Sequence, residues 1–378
     1  MNALNLKDQT VQAVRMQLVY ASLEALIDAA HPDANDNRYG LEGGFCVEQD
    51  GMRWLFVAEV FGEPKVVRTR LALWKASVVT PDNWTRVTTL REGSGDYTGS
   101  DPLASIWAPI PIYDPAIERW TLFFVAYRAA PDTEVLARRN FHGRIHRMLS
   151  KVPGREGIAG PYIDQGVVME PGVESDWWEG IQGVDSFYPW PHGDGWLAFY
   201  GSNSHHFPWE GKNRPTTRWY GCGLACAASL GGPWQRLSEW NPVLLNHRFI
   251  ENPLVFRVRE DLWIVLYDSS NQQLSYAWSV DGMHWSKECT VDWAGKRPDW
   301  LGWLRTPLSL RPEKDESWTI YVTAFNANRL APNLDPEYHY GFGSLGRLSV
   351  RLEIDENAVS AAKNYYGAGC SEHKESLQ

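Results

Sequence analysis

Five times along this chain a short strand runs into a polar turn and then into a tryptophan that opens a strongly apolar strand. The copies are EGGFCVEQDGMRWLFVAE (42–59), APIPIYDPAIERWTLFFVAY (108–127), DSFYPWPHGDGWLAFYGSN (185–203), ENPLVFRVREDLWIVLYDSS (251–270) and TPLSLRPEKDESWTIYVTAF (306–325). Their marker residues Trp54, Trp120, Trp196, Trp263 and Trp318 are separated by 66, 76, 67 and 55 residues. Further strand-like segments follow each copy: RTRLALWKAS, HGRIHRMLS, YGCGLACAAS, QLSYAWSV and FGSLGRLSVRLEI. Copies one, three and four add NWTRV, PWQRL and HWSKE, whose tryptophans are placed to pack between neighbouring sheets. Five units of about four strands each predict an all-β fold, a five-bladed β-propeller. Each blade buries both faces against its neighbours, so its middle strands should be apolar almost throughout, as they are. Two separate sandwiches would also supply many short strands, but not one turn-then-Trp signature across the whole chain.

Outside the repeat, residues 10–30 place Val11, Val14, Leu18, Leu23, Leu26 and Ile27 at three-to-four spacing, with Thr10 as an N-cap, and predict a helix. The expected organisation is therefore an N-terminal helix and linker (1–37), the propeller (38–355) and a C-terminal tail (356–378). The formal net charge of -10 argues against a nucleic-acid partner. No run of eighteen apolar residues suggests a membrane span, and the N-terminus lacks the pattern of a secretory signal, so a cytoplasmic protein is expected. Five cysteines are few and odd in number for a disulfide framework; Cys222 and Cys226 fit a buried strand better than a zinc set. The 20 tryptophans serve core packing, a sugar-binding cleft, or both.

The first residues of each blade's innermost strand gather at one end of the central channel. Counting back twelve residues from the marker tryptophan gives Glu42, Ala108, Glu251 and Thr306, and in copy three Asp185 lies eleven back. Three of five blades thus place an acid at the strand mouth. Each acid alone would be a turn or capping residue. Three at one repeat position would repel one another, so at least one should hold its proton unusually tightly. A carboxylic acid beside a carboxylate is what acid–base chemistry at neutral pH requires.

The order of these acids resembles the five-bladed clan of glycoside hydrolase families 43 and 32. EGG, VDSFYPW and IENP stand where family 43 opens blades one, three and four with acid-led motifs. SIWAPIPIYDPAIERWTLFFVAY (105–127) is similar to its blade-two strand, and YGFGSLGR (340–347) to its closing-blade motif. The resemblance spans about residues 38–353. It implies that Glu251 is the general acid, that Asp185 tunes and orients it, and that Glu42 is the general base. Glu42 stands where the family has Asp, and Phe342 where it has a His that organises a channel ion, so no metal or other cofactor is expected. The implied activity is cleavage of a furanoside or pentose-type linkage, arabinofuranosidase- or xylosidase-like, on an oligosaccharide or small glycoside. The alternatives are a non-catalytic carbohydrate-binding propeller and a fructosyl-transferring or phosphorolytic relative. The oligomeric state is left open.

Further candidates for substrate contact are Asp101 in GSDPLASIW, Trp107 at the mouth of blade two, Arg144, Arg305 and His206 in SNSHHFPWEG. All but His206, which lies in a long polar loop suited to line the substrate, have a plainer alternative. Asp101 precedes Pro and suits a turn, Trp107 suits the core, and the arginines suit ion pairs between strands or blades.

Overall fold

A computed structural model of the chain describes residues 12–34, 40–63, 66–96, 98–129, 140–203, 219–246, 249–269, 273–293, 297–326 and 343–373. Its strands form five antiparallel sheets, each a meander whose first strand lies innermost. Blade one is Leu41–Gln49, Met52–Glu63, Val66–Ser77 and Thr85–Glu92; blade two is Ser105–Asp114, Arg119–Ala129, Asn140–Ser150 and Tyr162–Met169. Blade three is Asp185–His192, Gly195–Asn203 and Tyr220–Ala227, with Gln235–Arg236 and Leu244–Asn246 both pairing the third strand. Blade four is Ile250–Arg259, Leu262–Ser269, Leu274–Ser279 and Cys289–Thr290. The five-bladed propeller expected from the repeat is what the chain builds.

Blade five corrects the reading of the N-terminus. Its strands Trp303–Pro307, Trp318–Phe325 and Gly343–Ile354 are completed on the outside by Val14–Ala21, which runs antiparallel to Gly343–Ile354 from Val14 opposite Ile354 to Ala21 opposite Leu348. The expected N-terminal helix is thus a strand that joins the two ends of the repeat and closes the ring. Alternation, not helical spacing, decides it: Val14 and Met16 are buried while Arg15 and Gln17 face solvent. Leu23, assigned to the apolar face of that helix, is 82 % exposed. The helix among the described residues is C-terminal, Glu356–His373. Its Val359, Ala362 and Tyr366 are buried in the core shared by blades four and five.

The edge tryptophans of blades one and four seal blade to blade. Trp84 of blade one meets Tyr321 of blade five edge-on, with ring centroids 5.3 Å apart. Trp285 of blade four lies 5.4 Å from Phe199 of blade three, whereas Trp234 packs within blade three, 5.0 Å from Phe187. All three indoles are at least nine-tenths buried, and burial of each contributes roughly 1.5–3 kcal/mol. Among the cysteines, Cys46 and Cys222 are buried and unpaired, and Cys226 and Cys289 are half-buried free thiols.

Candidate active site

The inner strand of every blade begins with a register shift against its neighbour: between Glu42 and Gly44, Trp107 and Ile110, Asp185 and Tyr188, Glu251 and Leu254, and Leu304 and Thr306. In blades one to four the residue after the mouth position is left-handed: Gly43 (φ 60°), Ala108 (48°), Ser186 (53°) and Asn252 (54°). Only Gly takes that conformation freely, and Asn takes it more readily than Ala or Ser, so the sheet holds some strain here. A bulge re-aims the side chain beside it. Here it turns the mouth residue toward the neighbouring blades.

The same feature explains the glycine pair after Glu42. Gly43 supplies the left-handed turn, and a Cβ on Gly44 would collide with the Phe56 carbonyl of the adjacent strand. The clearance at Gly44 therefore serves strand pairing.

The bulges also correct the alignment of blades two and five. Trp107 and Arg305, each thirteen residues before its marker tryptophan, occupy the mouth positions, in place of Ala108 and Thr306. The set is Glu42, Trp107, Asp185, Glu251 and Arg305: three acids, an indole and a guanidinium.

Arg305 ties the set together. Its Nε donates to Glu42 Oε1 at 2.6 Å, Nη2 to Glu251 Oε2 at 2.8 Å, and Nη1 to Asp268 Oδ2 at 2.5 Å. Two oxygens touching one guanidinium keep the Glu42 and Glu251 carboxylates no more than about 8 Å apart, within the ~5–9.5 Å span of glycosidase carboxyl pairs. Asp185 joins through Gln182, whose side-chain nitrogen donates to Asp185 Oδ2 and, at 3.4 Å, to Glu251 Oε1. The Tyr127 hydroxyl donates to the same Asp185 oxygen at 3.0 Å. Glu42, Asp185 and Asp268 are all buried. Glu42 Oε2 is buried with no hydrogen-bond partner among the described residues.

Four carboxyl groups around one guanidinium carry excess acid, and burial makes each charge costly. Burial pushes the Asp185 carboxyl up to about 7; repulsion from Glu251 acts the same way, against hydrogen bonds from Ser186 and Tyr127 and the pull of Arg305. Burial also raises Glu42 above the usual carboxylate range, with Arg305 opposing and Glu251 adding to the rise. Asp268 is raised well above that range by burial, again against Arg305 and with repulsion from Glu251 and Glu42. The site therefore retains protons at pH values where exposed carboxyls have lost theirs.

Three members escaped the sequence reading. Asp268 ends the apolar second strand of blade four directly opposite Glu251. Tyr127 lies two residues before the end of the second strand of blade two, and Gln182 lies three residues before Asp185. The signal for Asp268 was available: the corresponding partners of Glu42, Trp107 and Asp185 are Ala58, Val125 and Gly201, so an acid there breaks the repeat. The other predicted contacts stand apart from these hydrogen bonds. Asp101 accepts the Leu103 N–H of its own turn at 2.8 Å, Arg144 pairs with Glu170 at 3.3 Å, and Trp107 is 7 % exposed within the core. His206 and Phe342 lie outside the described residues.

No protein-family model matches the sequence, and neither does any curated protein. Solved structures do match. A family 117 glycoside hydrolase of the marine bacterium Zobellia galactanivorans superposes with a TM-score of 0.58 at 13% identity, over 92% of this chain and 91% of that one. A GH43_1 enzyme from Xanthomonas citri complexed with xylose gives 0.53 at 11% identity, over 87% and 90%. An alpha-L-arabinofuranosidase from Lactobacillus brevis gives 0.50 at 13% identity, over 82% and 92%. At such identities the likeness establishes the fold: the chain has the five-bladed propeller of these glycoside hydrolases.

Proposed function

We propose that the protein is a glycoside hydrolase that uses Glu251 as general acid, Glu42 as general base and Asp185 to tune the acid. The observation that carries the reading is the sharing of one guanidinium by Glu42 and Glu251, with Asp185 linked to Glu251 through Gln182. Cleaving a glycosidic bond requires a proton for the leaving oxygen and a carboxylate for the attacking water. Asp185 takes the Tyr127 hydroxyl and the Gln182 amide that also reaches Glu251, so it is placed to orient the acid, and burial with repulsion from Glu251 pushes its own carboxyl up to about 7. Glu42 is made more basic by burial, and its Oε2, with no hydrogen-bond partner among the described residues, can take a proton from water. Arg305 holds both carboxylates until substrate enters. The substrate class is a furanoside or pentose-type linkage, in keeping with the arabinofuranosidase and the xylose-bound enzyme among the structural relatives.

The test is a panel of aryl glycosides: α-L-arabinofuranoside, β-D-xyloside, galactofuranoside and fructoside. Turnover of at least one member, lost in Glu42→Gln and Glu251→Gln, is the expected outcome. Full activity in either variant on a good substrate would remove these roles. One observation favours a second reading, a propeller that binds sugar without cleaving it: Arg305 pairs the two acids as a structural ion pair would. Tight sugar binding with no turnover across the panel would select that reading.

A further inference from the structure

Trp177 is 68 % exposed, in a chain that buries most of its indoles. A lone exposed aromatic is ordinary on a protein surface. This one sits in a segment held on both sides. Trp178, the next residue, is fully buried and packs so closely on Gly221 and Gly223 that a Cβ at either would strike its ring. Glu179 pairs with Arg236 through contacts of 2.7 and 2.9 Å and accepts the Asp176 N–H at 2.9 Å. Asn241 donates to Asp176 at 3.0 Å, and the Gly180 N–H donates to Ser202 Oγ at 3.2 Å. The same segment ends at Gln182, which reaches Asp185 and Glu251. The fold thus fixes the backbone around Trp177 while leaving its indole in solvent.

The partner of that indole places it relative to the acids. Trp177 meets Trp219 edge-on at 6.4 Å, and Trp219 immediately precedes Tyr220, the first residue of the third strand of blade three. Asp185 lies opposite Gly201, and Gly201 opposite Cys222, so Trp219 is two strands out and three residues beyond the acid. At strand spacings that is about 10 Å outward and about 10 Å past the channel mouth. The ground between is aromatic: Tyr220 packs on Phe249 at 5.2 Å, and the Arg305 guanidinium lies over Phe249 at 4.9 Å. Phe249 and Tyr220 thus lie between the guanidinium that holds Glu42 and Glu251 and the start of the strand that Trp219 precedes.

We infer that Trp177 and Trp219 form a platform for a sugar ring several units along from the scissile bond, so that the ligand is an oligosaccharide chain rather than a single glycoside. The C–H face of a sugar stacks on an indole, and the ring N–H serves its hydroxyls. A lone exposed indole beside a half-buried one is too small a surface for a protein partner. It matches one sugar ring. The inference rests on the glycosidase reading for the position of the scissile bond, but binding tests it separately.

The experiment is calorimetric titration of arabinotetraose, xylotetraose and the corresponding methyl monosaccharides into the Glu251→Gln protein, with and without Trp177→Ala. Trp177→Ala should weaken the bound tetrasaccharide about tenfold, as expected for loss of one well-placed aromatic face. It should also collapse the ratio of tetrasaccharide to monosaccharide affinity, while Trp177→Phe keeps most of that ratio. Unchanged tetrasaccharide affinity, equal losses for both ligand lengths, or binding of neither tetrasaccharide would overturn the platform. Aryl-glycoside turnover by the unmodified protein tests the glycosidase reading without reference to these titrations, so the two can fail independently.

Discussion

Two buried ion clusters in this propeller have opposite stoichiometry. In blade one, the fully buried Glu59 carboxylate receives Arg70 at 2.6 Å, Arg86 through both Nε and Nη2 at 3.0 Å, and the Trp74 indole at 2.8 Å. One acid meets two guanidiniums and a further donor. At the channel mouth, one guanidinium meets Glu42, Glu251 and Asp268, with Asp185 adjoining. The first cluster has more cation than acid. The second has more acid than cation, retains protons, and leaves Glu42 Oε2 without a hydrogen-bond partner among the described residues. A buried carboxylate that is saturated with donors does structural work, whereas an excess of acid around one cation is what acid–base chemistry needs.

The largest effect expected is on turnover. Glu251→Gln keeps the side-chain shape and the Arg305 contact but cannot deliver a proton. It should lower kcat by about 10²–10⁴-fold, the usual worth of a positioned general acid, with little change in melting temperature. Steady-state kinetics on a good aryl glycoside, beside a thermal melt, would check this. Glu59→Gln should do the reverse. It leaves Arg70 and Arg86 facing a neutral amide in a buried site, which costs about 3–5 kcal/mol of stability, read in a denaturant melt. Activity of the fraction still folded should stay near normal. If Glu59→Gln instead lost turnover without losing stability, the contrast between the clusters would be wrong.

Next in size is a dependence on pH. Asp185 binds its proton more tightly in the folded chain, with a value of about 7 against an ordinary 3.8, so folding favours the protonated form. Its contribution to stability is complete below about pH 4 and is lost as pH rises through 7. Asp185→Asn removes that loss. The difference in stability between variant and parent should therefore move in the variant's favour between pH 4 and 7, measured as urea midpoints at several pH values. A difference that stays flat over this window would place the proton elsewhere.

The sequence made the repeat legible because every blade writes it locally, as strand, turn and tryptophan. It made three acids legible because they fall at one position of that repeat. The closing strand Val14–Ala21 was hidden because its partner Gly343–Ile354 lies at the other end of the chain, and its short alternation from Val14 to Gln17 also fits the helical spacing of the residues around it. Arg305 and Trp107 were noticed but placed one residue off their repeat position, since blades two and five have the longer spacing to the marker tryptophan. Asp268 was passed over because it lies on a second strand, outside the position being compared. In each case the missing information was a pairing across strands.

Asp268 carries the smallest and most discriminating prediction. It lies opposite Glu251 in the ladder, binds Arg305 at 2.5 Å, and accepts weakly from Asn252 at 3.4 Å. It touches the guanidinium rather than the position a sugar would occupy between Glu42 and Glu251, so it is a positioning residue. Asp268→Asn removes a carboxyl that repels Glu42 and Glu251 when ionised and frees part of Arg305's attraction for them. With less repulsion and more cation, those acids should give up their protons at lower pH. The alkaline limb of the pH–rate profile should then move down, with kcat at the new optimum reduced only about three- to tenfold and KM nearly unchanged. A merely structural Asp268 would lower stability and leave the limb in place. Moving the limb without losing stability would show that the excess of acid, rather than any one carboxylate, sets where this site works.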